Sequence, residues 1–306
     1  MQYKRIIKLY TTLSIALLCK GNTCLYAQCK TESYYDLDAA LANISCVKMF
    51  SYRYSGMETI SPRIGQLANL EFLDVQKNHL KQLPVSLEKL EKLKHLVLTD
   101  NELSKIPIEI GKLQHLEKLH LDRNHLIELP ASIGQLQQLH TLDLSYNNFA
   151  SFSEELCQLK QLSIFESRNN ALLFLPDNIG RLNKLKSLVL DYNRLTHLPG
   201  SFTSLKNLKQ LDLSNNQLQY LPTNIGKMKS LTVLSLSNNN LRELPASIGK
   251  LPQLEMILLS NNAIKKLPDA LTRLKHLKTL VLMNNPLDKS YVEALRKKLP
   301  NTSIIF

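Results

Sequence analysis

Aliphatic residues recur along this chain at a fixed interval. In Leu70-Glu71-Phe72-Leu73-Asp74-Val75 the apolar and polar positions alternate, the period of a short strand with one buried face. Asn78 closes that segment. The same frame, L-x-x-L-x-L-x-x-N, reopens every 23 residues, at Leu93, Leu116, Leu139, Leu162, Leu185, Leu208, Leu231, Leu254 and Leu277. A tail of the form x-L-x-x-L-P-x-x-I-G-x-L-x-x links one frame to the next, intact in Leu126 to Leu136. Run one period backwards, the frame is filled by Val47, Phe50, Tyr52, Ser55, Met57, Ile60, Ile64, Gly65 and Leu67, with Ser55 in place of Asn. The pattern predicts ten full units over residues 47–276, the first degenerate, and a partial eleventh with a C-terminal cap over 277–306.

Each slot has a physical reason. Strands stacked about 4.8 Å apart build a parallel sheet roughly 50 Å long. An Asn ending each strand can satisfy backbone groups of its own turn and of the adjacent coil. The ladder comprises Asn78, Asn101, Asn124, Asn147, Asn170, Asn193, Asn216, Asn239, Asn262 and Asn285. Pro in the tail suits the start of a helical turn, where its missing N–H is not needed. Gly at 65, 111, 134, 180, 226 and 249 allows close backbone approach. The Leu139 unit departs, with Ser153 for Pro and Cys157 for Gly. Open ends of such an array need covers. Apolar Tyr34, Leu37, Leu41 and Ile44 have helical spacing and predict a cap helix within residues 28–46. Val292, Leu295 and Leu299 predict a second helix over Asp288 to Lys298, followed by an extended piece to Phe306.

These residues resemble the leucine-rich-repeat family, in its 23-residue class with Leu-Pro and Ile-Gly signatures. The resemblance covers residues 47 to about 306 in register, without insertion. It implies an α/β fold, a right-handed solenoid or horseshoe with a parallel concave sheet and short convex helical turns. The cap pattern is similar to that of bacterial secreted or cytosolic proteins of this class. The implied function is non-catalytic recognition at the cell surface or after secretion, of a protein or alternatively a glycan, on the concave face. The alternative is a cytosolic scaffold that binds a signalling protein such as a small GTPase.

Composition adjusts this picture at three points. Aromatic residues are 6% and Trp is absent, so the core is aliphatic. The formal charge is +12, but Lys4, Arg5, Lys8 and Lys20 fall in the first 27 residues, which lack acids. Without that segment 34 basic and 26 acidic residues remain, a net +8, which selects no particular anionic partner; nucleic acid is not expected. That segment reads as a signal peptide: a basic start, an apolar run from Leu9 to Cys19, and Ala27 as the small residue before cleavage. The run is too short to span a membrane. Export would place the protein outside the cytoplasm, secreted, periplasmic or on the surface. Cys29 and Cys46 then have the opportunity to form a disulfide, and Cys157 reads as a small buried side chain.

No nucleophile, phosphate-loop or metal motif appears, so neither catalysis, a cofactor, a metal nor a small-molecule substrate is expected. Recognition is expected where stacking leaves slots free, at the third, fifth, seventh and eighth frame positions. From the Leu208 unit to the Leu254 unit, the last two of these slots hold Ser-Asn pairs. The units opening at Leu93 to Leu185 instead place His95, Lys118, His120, Asp122, Arg123, Asp143, Tyr146, Glu166, Arg168, Asp191 and Tyr192 there. Tyr and Arg are the residues enriched at interface hot spots. The acids are expected to face solvent without an apolar pocket to shift them. A second stripe, Val233, Met256, Leu258, Val281 and Met283, is apolar. A monomer is expected.

Overall fold

The computed structural model describes residues 33–306. The expected signal peptide and Cys29 lie outside the described residues. Thirteen short strands form one parallel sheet in chain order. They are β1 (Ser33–Tyr34), β2 (Met49–Ser51), β3 (Phe72–Asp74), β4 (His95–Val97), β5 (Lys118–His120), β6 (Thr141–Asp143), β7 (Ile164–Glu166), β8 (Ser187–Val189), β9 (Gln210–Asp212), β10 (Val233–Ser235), β11 (Met256–Leu258), β12 (Thr279–Val281) and β13 (Ser303–Ile305). From β2 to β12 each strand residue pairs with the residue 23 positions on, as in Leu119 opposite Leu142. The described residues form an uninterrupted solenoid of stacked coils around this parallel sheet.

The core follows from the frame. In the coil opening at Leu116, Leu116, Leu119, Leu121, Leu126, Ile133 and Leu136 are fully buried. Burying one such side chain contributes about 1.5–3 kcal/mol, and the interior is continuous from coil to coil. One coil deviates: Ser167, fully buried, occupies a Leu slot. Phe149, Phe152 and Phe165 fill that region instead, with ring centroids 5.1 and 5.5 Å apart.

The convex side is built of ten short 3-10 turns, from Pro62–Gln66 to Asp269–Arg273. Proline sits one place earlier than its missing N–H alone suggests. Pro84, Pro107, Pro130, Pro199, Pro245 and Pro268 are extended cap residues just outside their turns. Their carbonyls accept the first turn hydrogen bond, as Pro107 does from Ile110 N–H at 3.1 Å. The glycine requirement is steric: a Cβ on Gly249 would lie 2.1 Å from the Ala270 carbonyl oxygen.

The Asn ladder is continuous. Asn124 Nδ2 donates to the carbonyls of Leu121 in its own coil and Leu98 in the preceding one, both at 3.0 Å. Its Oδ1 accepts from Leu103 N–H, also at 3.0 Å and also in the preceding coil. Asn170 is the variant: it is half-buried, and its Nδ2 donates to Ser167 Oγ where the other coils offer a carbonyl.

The N-terminal cover departs from the helix expected over 28–46. Helix α1 is only Leu37–Leu41, begun by an Asp36 side chain that accepts from Ala39 N–H at 2.8 Å. Tyr34, assigned to that helix by spacing, lies instead in β1 and extends the sheet by pairing with Phe50. Ile44 is exposed. Cys46 is disulfide-bonded. At the other end, α2 (Lys289–Lys298) buries Val292 and Leu295, and β13 pairs with β12. Among the described residues no helix is long and apolar enough to cross a membrane.

Candidate recognition site

Strand residues at the third and fifth positions stand on the open face of the sheet, while the fourth, always apolar, points into the core. Strand register therefore sets which open-face residues become neighbours. His95 lies opposite Lys118, His120 opposite Asp143, and Asp143 opposite Glu166. His120, Asp122 and Asp143 bring their ligand-capable atoms within 4.8 Å of one another. No sequence motif announced this grouping, because 23-residue register assembles it from two coils. Groups so placed attract a cation, and the ammonium or guanidinium of a partner's side chain meets the same demand.

The acids are not the freely solvated row expected. Burial pushes the Asp122 carboxyl up; a 2.6 Å hydrogen bond from Thr99 Oγ1 pulls it back, and the charge of Asp143 adds to the rise. Burial, then Asp143, raises Glu166 as well. Asp191 is raised by burial against the opposing pull of Arg168. Its Oδ1 lies 3.5 Å from Arg168 Nε, a charge pair in which neither atom makes a hydrogen bond. His95 is held low by burial and then by Lys118, so its ring is neutral at pH 7. Cys157, outside this surface, has its thiol pushed up to about 12, mainly by burial, and stays protonated.

The raised carboxylates have a consequence for stability. A group that binds its proton more tightly in the folded chain stabilises fully below its ordinary pKa. That contribution is lost as pH rises through the raised value. Asp143→Asn keeps an acceptor for Ser145 N–H, which Asp143 Oδ1 binds at 3.0 Å, and removes the charge that raises both neighbours. Its melting temperature at pH 7 is expected to exceed that of the parent by about 2 °C. The gap should close as pH falls through the raised values of Asp122 and Glu166, whose protonation removes the repulsion. A parallel pair of pH–melting curves, with no gap at pH 7, would show that the like charges are not felt.

The strand-end rim carries the large side chains. Every eighth-position residue from Tyr54 to Asn284 has a positive φ, between 52° and 58°. The chain must turn sharply there so that the following Asn can fold inward. Asn tolerates this left-handed backbone, whereas most other residues are strained by it. The last four coils use Asn at the slot; Arg123, Tyr146 and Tyr192 occupy it in the candidate region. The Arg123 guanidinium stacks on the Tyr146 ring, 4.3 Å from its centroid. Tyr146 is 37% exposed and Tyr192 57%. They stand two coils apart with Asn169 between, about 10 Å by strand spacing. Lys118 is exposed on the open face.

Two residues escaped the sequence reading. Leu173 and Phe174 are 47% and 48% exposed, just beyond the strand end of the Leu162 coil. The signal was present: Leu172-Leu173-Phe174-Leu175 is apolar throughout, where the tail pattern wants two polar residues between the buried leucines.

A stacked-coil solenoid whose free slots change from coil to coil is a scaffold for recognition. The sequence profile described as the leucine-rich repeat region matches residues 109–192 and 196–299, and a second leucine-rich-repeat profile matches 68–126 and 167–218. The chain belongs to the leucine-rich-repeat family. No curated relative matches it. Among solved structures it is similar to a leucine-rich-repeat protein of Leptospira interrogans, at 27% identity over 90% of this chain and 100% of that one, with a TM-score of 0.61. It is also similar to the ectodomain of the membrane receptor kinase GASSHO1/SCHENGEN3 of Arabidopsis thaliana, solved in complex with Casparian strip integrity factor 2. That match has 26% identity, 84% coverage of this chain, 38% of the receptor chain and a TM-score of 0.52. An internalin of Listeria monocytogenes shares the fold at 20% identity, with a TM-score of 0.64 over 85% of this chain and 80% of that one.

Proposed function

We propose that the protein is a non-catalytic recognition module that acts outside the cytoplasm. A protein partner docks on the concave face and strand-end rim of the coils from Leu93 to Leu185. One observation carries this reading. Tyr146 and Tyr192 are large, exposed and held in a left-handed backbone where later coils use the tolerant Asn. Strain retained in this way points to a use for the side chain. The stack with Arg123 holds Tyr146 in advance of binding, which lowers the ordering cost of association. Beside this rim, Asp122, Asp143 and Glu166 form an acidic floor that suits a Lys or Arg of the partner. The receptor ectodomain similar to this chain was solved with a bound partner, which supports a binding role. Extracellular action rests on the basic and apolar leader and on the bonded Cys46, since disulfides persist in oxidising compartments.

The test is photo-crosslinking in the native source. A photoreactive phenylalanine replaces Tyr146 in one variant and Lys112, on the convex side, in another. The Tyr146 position should capture a discrete protein, and the captured chain should begin at Gln28. Capture from Lys112 alone, or a captured chain that retains Met1, sinks the reading.

A further inference from the structure

The opposite edge of the sheet, where chain enters each strand, has a different character. Elsewhere on this edge, residues stacked from coil to coil carry complementary charges. Lys94 Nζ lies 2.7 Å from Glu71, and Lys278 Nζ 2.7 Å from Glu255, at the slot just before the strand. In the middle of the array that rule is broken. Lys186 and Lys209 occupy the same slot in successive coils, joined directly by the hydrogen bond from Lys209 N–H to the Lys186 carbonyl at 2.9 Å. Lys160, Lys184, Lys206 and Lys229 flank them on the same edge, and all six are exposed. Among the described residues none of the six pairs with a carboxylate. Lys184 Nζ donates to Gln161 Oε1 and Lys229 Nζ to the Lys250 carbonyl, contacts that leave their charge uncompensated. From His140 to Gln253 this edge holds no acidic side chain at all.

We propose that this strand-start edge binds a linear anionic polysaccharide, laid along the solenoid axis across the coils that lead into β7, β8, β9 and β10. The cations form a row that advances by one strand spacing, about 4.8 Å, per coil. A row of that kind matches charges repeated along a chain better than one compact anion. The edge offers no exposed aromatic platform between Gln137 and Gln253 on which nucleic-acid bases could stack. It offers no apolar wedge for a membrane interface either. All six cations are lysines, compact point charges without the planar fork of arginine, and they suit sulfate or carboxylate groups presented at varied angles. The edge faces away from the rim of Tyr146 and Tyr192, so a polysaccharide and a protein partner can be held together.

A sulfated heparin oligosaccharide is the probe, titrated into the intact chain across a series of salt concentrations. Binding is expected near physiological salt, with the logarithm of affinity falling linearly against the logarithm of salt. The double variant K186Q/K209Q should bind about tenfold more weakly, with the salt slope reduced by roughly two. Its melting temperature should match that of the parent or rise. K112Q, on the convex side, and Tyr192→Asn, on the other rim, should bind the probe as the parent does. The inference is overturned by no binding at low salt, or by an undiminished K186Q/K209Q. It is equally overturned if duplex DNA or anionic vesicles bind as tightly through the same two lysines. Because Tyr192→Asn is predicted silent here, failure of the protein-docking reading leaves this result interpretable.

Discussion

Asn124→Leu is expected to lower the melting temperature by about 5 °C. Asn124 is 4% exposed and closes three hydrogen bonds at 3.0 Å, two as donor and one as acceptor. Leucine fills the same space and satisfies none of them. The Leu103 amide is left buried and unpaired, at about 1–3 kcal/mol, while the Leu98 and Leu121 carbonyls each keep one donor, Asn101 and Asn147. A loss near about 2 kcal/mol corresponds to that shift for a chain of this size. Asn170→Leu should cost less, because Asn170 is half-buried and one of its partners is the Ser167 hydroxyl, which can rotate to another acceptor. Gln219→Ala, on an exposed slot, should change almost nothing. Thermal unfolding followed by circular dichroism ranks the three variants. If Asn124→Leu and Gln219→Ala melt together, the ladder does not hold the coils.

Tyr146→Asn and Tyr192→Asn are expected to weaken partner binding by about 30-fold each, the loss typical of an interface anchor. Substitution by Asn makes this test more discriminating than Ala. Asn is the residue the last four coils use in the same left-handed backbone, so both variants should melt at or above the parent temperature. Loss of affinity with a gain in stability is a signature that a damaged fold cannot produce. Ser237→Ala, on the same face in the Leu231 coil, should bind normally. Arg168→Ala is a poorer probe than its place on the surface suggests. Asp191 is 8% exposed, and its charge is matched by Arg168, so the alanine variant is expected to lose stability as well as affinity. Calorimetric titration beside melting curves separates the two effects. Equal losses from Ser237→Ala and Tyr192→Asn would place the interface elsewhere.

The repeating part of the fold was legible because each of its requirements falls on one fixed slot of every coil. Leu119 must be apolar to reach the core, Asn124 must be an amide to bond both coils, and Gly249 has no room for a Cβ. The cover was less legible. Tyr34 and Leu37 fit helical spacing, but a free sheet edge beside β2 gives Tyr34 backbone partners that a helix cannot, and the strand prevails. The candidate site was legible as a set of residues and not as an arrangement. His120 stands two residues from Asp122, but nothing near them foretells that Asp143 will crowd the pair, since that neighbour is supplied by register. The left-handed slot was invisible for a similar reason: Arg123, Tyr146 and Tyr192 carry no local signal for positive φ, and the demand comes from the Asn that follows them. Leu173 and Phe174 were legible and overlooked, because a leucine-rich tail hides two further apolar residues.

The hydrogen bonds that the Asn ladder makes between coils all run one way. The Leu103 amide of one coil finds its acceptor in Asn124 of the next, which also gives the Leu98 carbonyl its second donor beside Asn101. A coil is thus finished by its successor and not by its predecessor. As a nascent chain emerges from the ribosome, the newest coil always has an open roof, which closes only once about 23 further residues have been made. Assembly is vectorial in the direction of synthesis. Breakage follows the opposite order: an array clipped within its C-terminal coils exposes a fresh unfinished roof and unravels backwards from the cut, while one clipped near its start leaves every remaining roof closed.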